Sequence, residues 1–411
     1  MEFELQASTE AGKRMVELAE KHAAEFAATA AKYDREGKFP VDNITALRRS
    51  GLSAATVPEE FGGMGVTSIH DCFVAISRLG RGEGSTPLAF NMHLSRTMAT
   101  TRALRGAIAT GNVAVQKRSE DILKNIGTGE IIISVANSER GADLRTSKTL
   151  ATKVDGGWRF NGTKIFATGS PAADMLSVRA RYQNDAGEDR LGAALVPIDR
   201  PGVKIMNNWD GLGMRASGSH DVVFTEYFVT DEEFSDIGEY GKYNAQFLAL
   251  TSGASLGLSS IFLGISEAAH QIAIDSIKNR ENTSYPMNQV SAAENEIDLA
   301  ASRAILSRAA HTLDVYFIEN DNPDLKPEDP THRAFQVIKN TASAKKFVME
   351  TSVRIVDRAI TLYGGGGFLA DSTLAKLYRD VRAGPLMQPW ARNQAIEFIG
   401  KVALGLDPND E

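Results

Sequence analysis

The runs IIISVAN (residues 131–137), TLATKVD (149–155), GWRFNGTKIFATG (157–169), DMLSVRARY (174–182), LGAALVPI (191–198), VKIMN (203–207) and DVVFTEYFV (221–229) follow one another with no helix-length segment between them. Each is short, apolar or alternating, and each is cut off by Gly, Asp, Asn or Pro, the pattern of strands that bury one face and then turn back. Asp155, Gly156 and Gly157 supply a hairpin turn, because glycine accepts the positive φ that tight turns need. Residues 131–229 therefore read as one compact all-β unit.

On either side the period changes from two to that of a helix. Upstream, Met15, Leu18, Ala19, Phe26, Ala30 and Tyr33, with His22 among them, fall on one helical face over residues 11–33, which Gly37 and Pro40 end. Further helices are expected over 42–49, 69–78, 95–110 and 120–126, with a Gly-rich loop at 57–66. Downstream of Tyr240 longer helices are expected over 247–278, 291–319, 330–363 and 374–404, the count of a bundle. Residues 320–330, rich in proline and acids, are the one linker-like segment. The expected organisation is α+β in three units: a helical one (1–130), the β unit (131–235) and a helical one (236–411).

Composition excludes several classes of function. Of 411 residues, 43% are hydrophobic and 24% charged, ordinary globular values that rule out disorder. The net charge of −7 offers no footprint for nucleic acid or for an anionic membrane surface. Cys72 has no partner for a disulfide, which fits a reduced, cytoplasmic setting. The N-terminal segment lacks the apolar core of a signal peptide, and no apolar run reaches the roughly 18–20 residues of a membrane span. The seven histidines never stand at metal-ligand spacing, and neither HExxH nor CxxC occurs, so no metal site is expected. GASLG (253–257) matches a nucleophile elbow, but its flanks read as one continuous helix, where small residues serve close packing.

No GxGxxG follows a strand. Instead YGGGGF (363–368) stands between two helices, where glycines let backbone N–H groups approach a phosphate or simply cap the preceding helix. Together with NGTKIFATGSPAAD (161–174), GLGMRASGSHDVVF (211–224), Arg280 after a long helix, and LYGGGGF…LYRDVRAG (362–384), it resembles the acyl-CoA dehydrogenase superfamily over about residues 39–404. That resemblance implies an N-terminal helical domain, a middle β-barrel, a C-terminal four-helix bundle, a homotetramer, and a flavin, FAD or FMN, between barrel and bundle. Phe166 and Thr168 match positions beside the flavin ring. Arg280 matches the residue that reaches a neighbouring subunit's flavin pyrophosphate, and Gly365 and Gly366 match backbone contacts to the phosphates or adenosine.

The resemblance breaks at the dehydrogenase base. Nine residues after the Arg of the RD motif, where the family has a Glu that removes the α-proton of a thioester, this chain has Gln388. The alternative base position on the first bundle helix falls near Gly253 or Ala254, and the Asp-x-x-Arg that holds CoA is missing near Ser252 to Ser255. An amide does not accept and hold a proton, and losing a general base costs about 10²–10⁴ in rate. What remains resembles the two-component flavin monooxygenases of the superfamily, which take reduced flavin from a partner reductase and use O2 on a small organic substrate. By that resemblance Ser170 and His93 assist oxygen chemistry at the flavin, and Gln388 hydrogen-bonds substrate or flavin. The other reading is an acyl-CoA dehydrogenase with its base supplied from elsewhere.

Overall fold

The structure, a computed structural model, describes residues 4–410. Five helices open the chain: α1 (Glu10–Glu36), α2 (Val41–Arg49), α3 (Ile69–Gly82), α4 (Ser85–Thr110) and α5 (Val113–Gly127). Helix α4 starts ten residues before the expected position. The carboxylate of Glu83 accepts hydrogen bonds from the N–H groups of Ser85 and Thr86 at 2.6 and 2.5 Å, and Pro87 sits in the first turn, where no N–H is required. In the same way Asn112 caps α5, accepting from Val115 N–H at 3.2 Å, and sets its start earlier than the apolar pattern implied.

The β unit contains β1 (Ile133–Ala136), β2 (Leu150–Val154), β3 (Gly157–Ala167), β4 (Met175–Gln183), β5 (Asp189–Pro197), β6 (Val203–Ile205), β7 (His220–Thr230) and β8 (Phe234–Glu239). The strands join in the order β6-β7-β3-β2-β4-β5-β8, and β1 pairs in parallel with β4. The hairpin expected at residues 155–157 turns on two residues, Asp155 and Gly156, because Gly157 already pairs with Val154. Phe160, Leu176, Val178, Val196, Val222, Tyr227 and Val229 fill the interior of this unit. No ladder joins β6 to β8 among the described residues, so the barrel is an open one.

The chain then returns to helix: α6 (Ala245–Thr251), α7 (Gly253–Asn279), α8 (Pro286–Asp321), α9 (Pro330–Tyr363), α10 (Thr373–Val381) and α11 (Arg392–Ala403). Two expected helices are divided. The first breaks at Ser252 into α6 and α7. The last breaks into α10 and α11 because Gly384, Pro385 and Pro389 interrupt the backbone ladder, and the Gln388–Pro389 peptide is cis. Helix α7 is buried over most of its length between α3 and α9, so its apolar character reflects a core position. Here the GASLG segment does serve packing: a Cβ on Gly257 would lie 1.9 Å from Asn91 Oδ1, whose amide nitrogen donates to the Ala254 carbonyl at 3.1 Å.

The RD pair locks the units together. Arg379 makes a two-pronged ion pair with Asp34 of α1, at 3.1 and 2.5 Å. Its neighbour Asp380, fully buried and paired with Lys376 at 2.6 Å, accepts from Met214 N–H at 2.6 Å and so draws the 211–215 loop onto α10. Gly213 is required there, because a Cβ would stand 2.1 Å from the Arg379 carbonyl oxygen.

Candidate active site

A cavity of about 570 Å³ opens where β1, β3 and the loop before β7 face α4, α6, α7 and the segment after α10. Its size suits a drug-sized ligand or a cofactor ring. One wall carries Phe166, which is 55% exposed and meets Trp209 edge to face at 5.9 Å and 87°. Phe166, Met214 and Trp390 all line the cavity and all have left-handed backbones, with φ of 57°, 51° and 62°. Such conformations cost about 1–3 kcal/mol each for bulky residues, so local strain is concentrated around the cavity.

Below the aromatic wall runs a chain of hydroxyls. Thr168 Oγ1 and Ser219 Oγ are 2.8 Å apart, and Ser219 Oγ and Ser217 Oγ are 2.7 Å apart. The Ser134 hydroxyl fixes the Thr168 carbonyl at 2.8 Å. Across the cavity stand Met387, Gln388 and Pro389. Their backbone is held by Lys345 of α9, whose Nζ donates to the carbonyls of Met387 at 2.6 Å and Trp390 at 3.4 Å; burial pushes this amine down to about 7.

Two carboxylates border the cavity, and both are engaged. Glu139 accepts from Lys164 Nζ at 2.5 Å, from Ser147 at 3.1 Å and from the Thr149 hydroxyl at 2.6 Å. Burial alone would raise its pKa, but Lys164 and these donors hold it near 2. Asp143 is bound by Arg145 at 2.8 and 3.0 Å and caps Arg145 N–H at 2.7 Å. A carboxylate held in its charged form this way is a poor proton acceptor.

The structure brings Phe166, Thr168 and Gln388 to one cavity, but not His93 or Ser170. His93 is fully buried on α4: its Nε2 donates to the Ser53 carbonyl at 2.9 Å and its Nδ1 accepts from Ile133 N–H at 3.1 Å. Burial depresses its pKa to about 4, so it is a neutral pin between α4 and β1 and lies outside the lining. Ser170 likewise turns away after Gly169 and donates to the Gly218 carbonyl at 3.1 Å. Arg280, Gly365 and Gly366 cluster elsewhere. Arg280 lies on the surface over the Tyr363 ring and donates to the Leu362 carbonyl at 3.4 Å, beside the 365–368 turn.

Other residues passed over in the sequence run belong to the wall. Ser217 and Ser219 lie within GLGMRASGSH (211–220) and carry no periodic signal. Arg96, Arg179 and Trp209 face the cavity only because α4, β4 and the 209–219 loop converge. His220 and Asp221 order the loop: His220 Nδ1 accepts from Trp209 N–H at 2.9 Å, and Asp221 accepts from Asn208 at 2.9 Å. Arg215 ties the same loop to the Asp34 carbonyl at 3.0 Å. Ser372 occupies the N-cap of α10.

Three family models cover most of this chain: the acyl-CoA dehydrogenase N-terminal domain over residues 9–104, the middle domain over 133–227 and the C-terminal domain over 254–388. Amino sugar nitrososynthase DnmZ of Streptomyces peucetius is 33% identical over 97% of this chain and 94% of its own. The crystal structure of the nitrososynthase from Micromonospora carbonacea var. africana superposes with a TM-score of 0.89 at 32% identity, covering 98% of this chain and 100% of that one. KijD3 in complex with FMN and dTDP-3-amino-2,3,6-trideoxy-4-keto-3-methyl-D-glucose gives 0.90 at 31% identity, covering 98% and 96%. The chain belongs to the acyl-CoA dehydrogenase family. With the engaged carboxylates and Gln388 at the base position, these relatives make it a flavin-dependent oxidoreductase of the oxygenase type on that fold.

Proposed function

We propose that this enzyme uses reduced FMN and O2 to oxygenate the amino nitrogen of a nucleotide-linked sugar. The observation that carries the choice of oxygenase over dehydrogenase is the state of the two cavity carboxylates: neither is free to remove a thioester α-proton, and the residue at the usual base position is an amide. The amino sugar comes from the nitrososynthase relatives and from the ligand of KijD3.

The residues present fit a flavin. Phe166 offers an exposed aromatic shelf, the Thr168–Ser219–Ser217 hydroxyls offer donors and acceptors at its edge, and the buried Asn137 Oδ1 and Ser255 Oγ on the same cavity have no partner among the described residues. Buried polar atoms are ordinarily paired, so a polar ligand is the natural complement of these two. When bound, the reduced flavin supplies two electrons with which O2 is split: R–NH2 + O2 + FMNH2 → R–NHOH + H2O + FMN. The chain's own work is to exclude bulk water with the Phe166, Trp209 and Met387 side chains that line the cavity. The Thr168–Ser219–Ser217 chain holds and passes a proton at the Thr168 hydroxyl, and the Gln388 amide orients the substrate nitrogen. Arg280, Gly365 and Gly366, grouped on the surface, would complete the flavin site of a neighbouring subunit in a homotetramer. A separate reductase would supply the reduced flavin.

The test is to supply chemically reduced FMN, O2 and a dTDP-linked 3-amino sugar and to follow the nucleotide product by mass. Addition of one oxygen atom, dependent on both O2 and reduced FMN, is expected. Absence of such a product, together with bleaching of oxidised flavin by an acyl-CoA panel, would overturn the proposal. Gln388→Glu sharpens the comparison: because the CoA-binding Asp-x-x-Arg is also missing, it should confer no acyl-CoA desaturation.

A further inference from the structure

Two guanidinium groups in the cavity wall stand without a salt bridge among the described residues. Arg179, on β4, is 8% exposed; its Nη1 donates to the Leu144 carbonyl at 3.0 Å and its Nε has no partner. Arg96, on the middle of α4, lines the same cavity, and its buried Nε also has no partner. Neither forms an ion pair among the described residues. The carboxylates that face Arg179 are Glu139 and Asp143, already committed to Lys164 and to Arg145. Arg382, exposed at the rim, adds a third guanidinium without an ion pair among the described residues.

Holding one unpaired charge out of water is costly, and a second charge of like sign that acts on it adds to the cost. The strain is visible in Arg96, which burial, reinforced by the charge of Arg179, pushes down to about 10. In a chain of net charge −7 this local excess of positive charge runs against the global balance. Elsewhere in the fold several buried cations are matched by carboxylates, Arg303 with Glu267 at 2.8 Å, Lys376 with Asp380 at 2.6 Å and Lys164 with Glu139 at 2.5 Å, and Lys345, which has no carboxylate, gives its protons to two carbonyls. Arg96 and Arg179 instead leave their buried Nε atoms without a partner among the described residues, and they do so on a cavity of ligand size.

We propose that Arg96 and Arg179 form an anion subsite inside the cavity that takes a phosphoryl group, borne by the flavin or by a nucleotide-linked substrate. Each guanidinium presents several N–H donors in a fixed fork that matches phosphoryl oxygens, and two of them on one cavity offer more donors than a single carboxylate can use. The identity of the bearer rests on the function proposed above; the subsite does not.

The test uses the full-length protein and four probes: inorganic pyrophosphate, thymidine diphosphate, FMN and riboflavin, the last lacking the phosphate. Thermal unfolding and flavin-fluorescence titration are measured for the wild type, Arg96→Met, Arg179→Met and Arg96→Lys. In the absence of ligand both Met variants should keep or raise the melting temperature, because each removes an uncompensated charge. They should lose the stabilisation by pyrophosphate and at least about tenfold in affinity for the phosphoryl bearer, with partial recovery in Arg96→Lys. If FMN affinity falls to that of riboflavin, the bearer is the flavin; if FMN is unaffected and thymidine diphosphate weakens, it is the substrate. Two outcomes overturn the proposal: unchanged affinity for both FMN and thymidine diphosphate, or Met variants that unfold early yet keep the pyrophosphate effect, which would make the arginines purely structural. Loss of amine oxygenation with these affinities intact would instead count against the proposed function alone.

Discussion

At the residue scale, His93 and Thr168 show how similar polar side chains take different work. The Thr168 hydroxyl faces the cavity and joins two serines. His93, one helix away, spends both ring nitrogens on backbone. His93→Leu should therefore cost about 2–4 kcal/mol, because it strands the Ser53 carbonyl and Ile133 N–H in the interior. Its pKa also sets a pH dependence. The folded imidazole titrates near 4 and an unfolded one near 6.5, so as pH falls through that window the unfolded chain takes up a proton that the folded chain refuses. Stability should drop toward acid by up to about 1.4 kcal/mol per pH unit from this group. Urea unfolding at pH 7, 6 and 5 checks both claims: the Leu variant should be weaker at pH 7 and show a shallower acid slope.

Elements meet through a few backbone anchors. The 211–215 loop reaches α10 only because Gly213 lets it approach and Asp380 caps Met214. Gly213→Ala should lose about 1–3 kcal/mol as the added Cβ meets the Arg379 carbonyl, and should weaken flavin affinity, since the same loop carries the cavity-lining Met214. Calorimetry and flavin titration on one preparation test the two effects. The segment after α10 depends on Lys345 instead. With a folded pKa near 7 against about 10.4 unfolded, this lysine makes stability rise with pH between those values, because over that range the unfolded chain binds more protons. Lys345→Met should flatten that rise; an unchanged slope between pH 7.5 and 9.5 would contradict the assignment.

For the whole molecule, the surface around Arg280 carries large apolar side chains: Phe368 is 83% exposed, Met287 71% and Tyr285 61%. Exposed apolar groups concentrated on one region mark contact surfaces. Sedimentation should show an assembly of several chains, and Phe368→Glu should shift it toward smaller species while weakening flavin retention, because Arg280, Gly365 and Gly366 would no longer meet a neighbour's cofactor. If the variant dissociates with flavin affinity intact, those three residues lie outside the flavin site.

The order of helices, strands and helices was determined by the sequence alone, because periodicity and turn residues act over a few positions. The 131–229 runs, the Asp155–Gly156 hairpin and the α1 face are all local in this sense. So was the loss of the dehydrogenase base, since Gln388 is read at a fixed distance from Arg379. Only the tertiary structure decided which polar groups share the cavity. Ser170 stands two residues from Thr168, yet the turn at Gly169 sends its hydroxyl to Gly218. His93 and Arg96 lie one helical turn apart, yet one is pinned to β1 and the other faces the cavity. Whether a buried charge has a counter-ion depends on chain segments far apart in sequence. The unmatched pair of Arg96 on α4 and Arg179 on β4 therefore becomes visible only once the domains are packed together.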